Sequence, residues 1–456
     1  RAAPAQALKA GDEQRMFGRA ARVWPGMALI LGSVAFLFPG PLNGIPVGGY
    51  LAIACLLVGG ILLMPFLSNF VLERISVGKS IPPTLALAQL RGAPGQAMVS
   101  LAAIVASFSL MAAMAIMVAS FRGSVDRWLA AVLPADLYFR TTHAGETAWL
   151  DPGLEARVRA LPQVERAVFL RSGRITLDPA RPPVSLIARD GGRHFFPVVG
   201  PTYEHKPGDP PPAWISEAVS DLYGFRPGNE ILIPLGGKQF KFIVSGIWRD
   251  YARQHGAIVI EREAYAALSG DRRTNDAALW LRPGVAPGQA IAALRALPGG
   301  QLLEIAGPGE IRRASLAIFD RSFAVTYALE AAAVLVGLFG LSSSVGAIVL
   351  ARRREFGMLR HLGMTRRQIG GMLAAEGGLL ALLGIGVGLA LGAAISLILI
   401  HVVNRQSFSW SMDLHVPYLL LAGLSLLLIA LSSFTAFVSG REATRIGAVR
   451  AVKEDW

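Results

Sequence analysis

The sequence predicts a membrane protein, an α-helical transmembrane bundle of about six spans joined to an extracytoplasmic α+β domain of two lobes. Three observations predict it. The chain of 456 residues is 53% hydrophobic and only 16% charged, too apolar for an ordinary soluble fold. Its uncharged runs have the length of membrane helices. Its middle third, by contrast, is polar and rich in turn residues.

A hydrocarbon core of about 30 Å needs about 20 apolar residues per helix. Runs of that size lie at about 24–42, 45–70, 97–121, 323–350, 372–403 and 416–440. Glu330 and Glu376 fall near the ends of their runs, where a carboxylate reaches the interface, so both read as tolerated flanking charges. Gly384, Gly388 and Gly392 recur every four residues in the fifth run. That spacing lets a neighbouring backbone come close, although glycine is also common in membrane helices generally.

Basic residues orient the spans, because short cytoplasmic segments collect Lys and Arg. Segments 1–23, 71–96, 351–371 and 441–456 hold 5, 3, 6 and 4 basic residues and a net +11 of the chain's formal +13. The high positive charge is therefore an orientation signal and not a nucleic-acid footprint. The expected order is a cytoplasmic tail of a preceding repeat (1–23), a two-span linker hairpin (24–70), a cytoplasmic amphipathic segment (71–96) and a span (97–121). An extracytoplasmic domain (122–322) and another span (323–350) follow. A cytoplasmic coupling segment (351–371), two spans (372–440) and a cytoplasmic tail (441–456) complete the chain. The stretch "RAAPAQALK" at the start resembles "RIGAVRAVK" at 445–453, as if the first closed an earlier repeat.

In the outer segment, "DPGLEARVRALPQV" carries an Asp cap, an early Pro and helical spacing. "EILIPL" and "KFIVSGIW" flank Gly236 and Gly237 as a hairpin. A strand-rich insertion is expected at about 185–260, and "GEIRRASLAIFDRSF" reads as a helix entering the fourth span. Cys55 is the single cysteine, so no internal disulfide framework exists.

No enzyme chemistry emerges. "ISVGKS" ends like a phosphate loop, but Glu73 stands where the first glycine belongs. HExxH, paired cysteines and GxSxG are absent. The expectation is a non-catalytic chain with no cofactor or metal of its own.

The segment "ARRREFGMLRHLGMTRRQIGG" is then the candidate site. Arg352, Arg353 and Arg354 end one helix; Phe356, Leu359 and Leu362 follow at helical spacing; Gly363 closes the short helix and Thr365 caps the next. A short amphipathic helix of this kind suits a partner's groove, and the alternative is a basic anchor on anionic lipid. Glu355 and the glycine break favour the groove.

The same stretch, "REFGMLRHLGMTRRQI", resembles the ExGxLRxxGxxxxxI signature of FtsX/MacB-type permeases, the mechanotransmission (type VII) class of ABC transporters. Glu355, Gly357, Leu359, Arg360, Gly363 and Ile369 occupy the matching places. "PPTLALAQLRGAPGQA" resembles the stretch before a repeat's first span. "WISEAVSDLYGFRPGNEI" resembles the outer-domain pattern, with Asn229 for the usual Asp. The linker spans fit a double-length, ten-span, YbbP-like member, of which this chain would be the C-terminal half.

The resemblance implies that 351–371 is a coupling helix docking on a cytoplasmic ABC ATPase dimer, which would bind ATP and Mg. Arg353, Glu355, Phe356, Leu359, Arg360, Leu362, Gly363, Arg366 and Arg367 would form that contact. The further partners implied are the N-terminal half of the permease, the lipid bilayer and an outer, periplasmic protein; no nucleic acid is expected. The function expected is extraction or export of a hydrophobic or lipid-linked substrate from the bacterial inner membrane, with the large domain in the periplasm. The alternative is a transmembrane regulator that delivers ATPase strokes to a periplasmic enzyme or envelope complex without moving a solute.

Overall fold

The computed structural model describes residues 23–42, 44–75, 81–92, 94–141, 149–191 and 196–443. Residues 1–22 and 444–456, which make up nearly all of both expected cytoplasmic tails and hold the repeat resemblance between them, lie outside those residues. The chain divides into two compact units. One comprises the apolar helices, and the other is residues 121–322 with 407–413.

In the helical unit the apolar runs form α1 (Val23–Ala35), α2 (Val47–Arg74), α3 (Ile81–Gly92) and α4 (Pro94–Val132). Four helices among the described residues are long and apolar enough to cross a membrane: Val47–Arg74, Leu101–Val132, Arg366–Phe408 and Tyr418–Arg441. They correspond to the expected runs at 45–70, 97–121, 372–403 and 416–440. The run at 24–42 folds as the 13-residue α1, about 20 Å long at 1.5 Å per residue. Pro39 and Pro41, which supply no amide hydrogen for a helix, lie in the turn that follows. The run at 323–350 belongs to a 44-residue helix that begins at Pro308.

Arg91 of α3 closes α2. Its guanidinium donates to the carbonyls of Leu72 (2.6 and 3.1 Å), Glu73 (3.3 Å) and Ile75 (2.9 Å). A helix C-terminus leaves such carbonyls unpaired and partly negative, so a cation there satisfies both needs.

The second unit is built on one ten-stranded sheet in the order β10-β1-β9-β2-β3-β8-β5-β7-β4, with β6 added beside β7. The strands are β1 (Leu137–Thr141), β2 (Val164–Ile175), β3 (Val184–Arg189), β4 (Val198–Val199), β5 (Pro212–Ser216), β6 (Glu230–Leu235), β7 (Lys238–Trp248), β8 (Ala257–Glu261), β9 (Asp276–Leu281) and β10 (Leu303–Ala306). Only the β3/β8 and β5/β7 pairs are parallel. Four short helices, α5 (Pro152–Arg159), α6 (Glu217–Tyr223), α7 (Arg262–Ser269) and α8 (Pro287–Ala296), pack on it.

The two largest apolar clusters described on this sheet are separate. Phe139, Phe169, Leu279 and Leu294 belong to one, while Ile215, Ile233, Phe242 and Ile258 belong to the other. The Gly236-Gly237 hairpin forms as its sequence signals, with Leu235 opposite Lys238 and both glycines at positive φ. Asp151 precedes α5 without a side-chain cap bond; its carboxylate instead meets Arg157 at 3.3 Å.

The remaining helices are α9 (Pro308–Ala351), α10 (Arg353–His361), α11 (Arg366–Ile398), α12 (Asn404–Phe408) and α13 (Tyr418–Ala443). A π-helical turn, Leu399–Val403, joins α11 to α12. α11 is the central helix of its unit, contributing to both apolar clusters there.

Candidate functional site

The junction between α9 and α11 is built almost entirely by local rules. Arg352 leaves the helical region at φ −100°, ψ 13°, so α10 starts afresh one residue after α9 ends. α10 stops in a Schellman motif. The Met364 amide donates to the Leu359 carbonyl (3.0 Å) and the Gly363 amide to the Arg360 carbonyl (3.1 Å), with Gly363 at φ +96°. Two residues later Thr365 caps α11, and Gln368 reaches back to complete a capping box. Met364 and Ile369, the residues before the cap and in the first turn after it, lie in the same apolar cluster, as a hydrophobic staple requires. The angle between α10 and α11 is thus specified by four adjacent signals.

Tertiary contacts then anchor α10. Phe356 is 1% exposed and shares a cluster with Ala86, Val349, Met372 and Leu373. Arg352 binds Glu376 of α11 through one guanidinium nitrogen that meets both carboxylate oxygens, at 2.9 and 3.2 Å. Its Nε also donates to Glu355 at 3.1 Å. The Arg352–Glu376 pair is nearly enclosed, at 11% and 9% side-chain exposure. Glu376 is therefore a buried ion-pair partner and not the flanking charge expected from its position in the sequence, because the chain turns Arg352 back over it. Burial of a carboxylate in such a place requires that cation.

The apolar stripe expected of Phe356, Leu359 and Leu362 divides. Phe356 points into the core, Leu359 packs partly against it, and Leu362 is 81% exposed. Met358, on the same outward side, is 61% exposed. A helix turns 100° per residue, so positions 358 and 362, four apart, share a face that 356 does not. Arg353 opens α10, Glu355 is exposed beside Arg352, and Arg360 is half-buried. Arg366 and Arg367 are exposed in the first turn of α11. Two cations at a helix N-terminus oppose its dipole, so local helix stability does not account for them.

Gly384, Gly388 and Gly392 line the face of α11 that meets α4. A Cβ added at Gly384 would stand 2.5 Å from Ile104. At Gly388 it would be 3.1 Å from Phe108, and at Gly392 2.8 Å from both Ala112 and the Ser109 carbonyl. The contacts advance together along both helices, which run parallel.

The sheet unit holds a second polar junction, around residues 407–413. Ser411 donates its hydroxyl to Glu217 (2.6 Å) and its amide to the same carboxylate (3.1 Å). Arg249 contacts Ser411 (2.8 Å) and Asp413 (3.1 Å), and the Tyr251 hydroxyl donates to the Ser411 carbonyl (2.8 Å). Burial pushes the Tyr251 phenol up to about 12, so it stays a donor. The "ISE" pattern acquires a physical meaning here. Ile215 lies in the core, Ser216 caps α6, and Glu217 grips Ser411. Arg352 is not singled out by its sequence signal, since it sits in a run of three arginines, and Glu217, although part of the quoted pattern, has its partner 194 residues away.

Comparison with known proteins bears on the same region. Residues 328–448 match the family described as FtsX-like permease C-terminal. The chain is 27% identical over 394 residues to an uncharacterized ABC transporter permease protein of Mycobacterium tuberculosis, a match covering 80% of this chain and 45% of that protein. The chain thus spans about half the length of that relative. Among solved structures, the periplasmic region of MacB from Actinobacillus actinomycetemcomitans matches at 10% identity and TM-score 0.30, over 41% of this chain and 94% of its own. The extracellular domain of the ABC-type transporter YknZ from Gram-positive bacteria matches at 12% identity and TM-score 0.28, over 38% and 99%. The segment that contains α10, its Schellman turn and the Arg352–Glu376 pair therefore matches an FtsX-like permease domain, and the chain around it is similar to an ABC transporter permease.

Proposed function

We propose that this permease transmits the ATP-driven closure of a separate, dimeric cytoplasmic ATPase to the sheet domain on the other side of the bacterial inner membrane. The work extracts or exports a hydrophobic or lipid-linked substrate. α10 is the coupling helix in this reading. The observation that carries it is the contrast between the two sides of α10. Its inner side is clamped by Phe356 and by Arg352–Glu376, whereas Met358 and Leu362 stand exposed beside Arg366 and Arg367. A helix fixed so firmly on one side transmits a push, and an apolar pair rimmed by cations suits a groove in a partner. ATP and Mg belong to that partner.

The N-terminal half of the permease is a further proposed partner, supported by a relative of about twice this length. α9 exposes Val325, Leu329, Val336 and Phe339, as lipid or a facing helix would require. On this reading the sheet domain lies in the periplasm, where a protein partner can reach it.

The test is co-purification from membranes after mild detergent extraction, comparing wild type with Met358→Asp/Leu362→Asp. The wild type is expected to retain an ATPase that the double variant loses while keeping its thermal stability, since both side chains face outward. If the wild type retains no ATPase, or the double variant holds it equally well, α10 is not the coupling helix.

A further inference from the structure

The sheet domain contains a cleft of about 310 Å³ between β2, the β6–β7 turn and α7, which the coupling reading does not use. Its walls include Arg171, Gly173, Arg174, Ile175, Leu235 and Tyr265. The volume is at the small end of the range of about 300–1,000 Å³ typical of ligand sites. Two guanidiniums line it, and no carboxylate does so among the described residues.

Two features mark it as a built site. Arg171 is held in place from behind, its Nε donating to Asp271 at 3.3 Å. Asp271 also accepts the Tyr265 hydroxyl at 3.2 Å and Arg273 at 2.7 Å. The carboxylate is therefore occupied in orienting the wall and is matched by a second cation, Arg273, so Arg171 still presents positive charge. The other feature is Gly173. Residues 171, 173 and 175 share one face of β2 by the period-two alternation of a strand, and a Cβ added at Gly173 would meet nothing within 4 Å. Glycine weakens a strand interior, and in such a place it often marks the close approach of a ligand. Here its missing side chain opens the floor between the Arg171 guanidinium and the apolar Ile175.

We infer that this cleft binds a small amphiphilic anion, its carboxylate or phosphate group on Arg171 and its short apolar part against Ile175 and Leu235. The site is independent of the ATPase contact, so it can stand or fall without it.

The test is isothermal titration of the full chain in lipid nanodiscs with phenyl phosphate, with empty nanodiscs as the blank and benzyl alcohol and inorganic phosphate as comparators. Saturable one-to-one binding of phenyl phosphate is expected. Gly173→Leu, which fills open space, and Arg171→Gln should each weaken it about tenfold or more, a factor worth 1.4 kcal/mol. Gly173→Leu should leave thermal unfolding unchanged. Absence of saturable binding overturns the inference, as does wild-type affinity in Gly173→Leu. Equal affinity for benzyl alcohol would overturn the anionic half of the site, and equal affinity for inorganic phosphate the apolar half.

Discussion

Arg352 and Glu376 lie 24 residues apart in the chain, yet one guanidinium nitrogen touches both carboxylate oxygens, at 2.9 and 3.2 Å. Removing one member of an enclosed pair strands the other charge and costs about 3–5 kcal/mol. Replacing both with apolar residues removes that penalty. Glu376→Leu should therefore lower unfolding stability by an amount in that range, and Arg352→Met/Glu376→Leu should recover most of it. Denaturant unfolding of the four members of this double-mutant cycle in nanodiscs checks the coupling. Additive single effects would count against it.

Gly363 makes a sharper local prediction. At φ +96° an alanine is strained, so Gly363→Ala should cost about 1 kcal/mol or more. The loss should be confined to the Schellman turn. Hydrogen exchange is the measurement, with faster exchange expected at the Gly363 and Met364 amides and unchanged rates in the middle of α11.

The α4–α11 contact can be tested against a control in the same helix. Gly392→Leu would force a side chain onto Ala112 and the Ser109 carbonyl, whereas Gly386 has open space around it. Overpacking costs about 1–3 kcal/mol. Gly392→Leu is expected to lower the melting temperature, and Gly386→Leu to leave it close to wild type.

Asp271 links the sheet domain to pH. Burial pushes its carboxyl up, but hydrogen bonds from the Arg273 side chain and backbone, with the charges of Arg171 and Arg273, outweigh that and bring it down to about 2. A carboxyl depressed by folding binds its proton less readily in the folded chain than in the unfolded one. Its stabilisation is therefore complete above the unfolded value of about 3.9 and is lost as pH falls toward 2. Melts between pH 5 and pH 2 should show wild type losing stability faster than Asp271→Asn. Parallel curves would remove Asp271 from the account.

What was legible in the sequence follows the range of each interaction. The Gly363 turn, the Thr365 cap and the Gly236-Gly237 hairpin are written within a few residues of themselves, and each forms where its residues stand. Arg352 could not be told from Arg353 and Arg354, because what distinguishes it is Glu376, more than six helical turns further on. The division of Phe356 from Leu362 was hidden too. A stripe shows which side chains are apolar, but not whether a core or a partner waits for them.

The sequence by itself determined that the chain is greasy at both ends of a polar middle, where its helices start and stop around Gly363 and Thr365, and that its net charge gathers in short segments flanking the apolar runs. Those properties depend on composition and near neighbours. The tertiary structure alone decided that Phe356 is core while Leu362 is exposed, that Glu376 is paired and enclosed, that Ser411 is held by Glu217, and that Gly173 floors a cleft. Each of these depends on which distant surface the folded chain brings to a residue, and burial, unlike helix capping, has no local code.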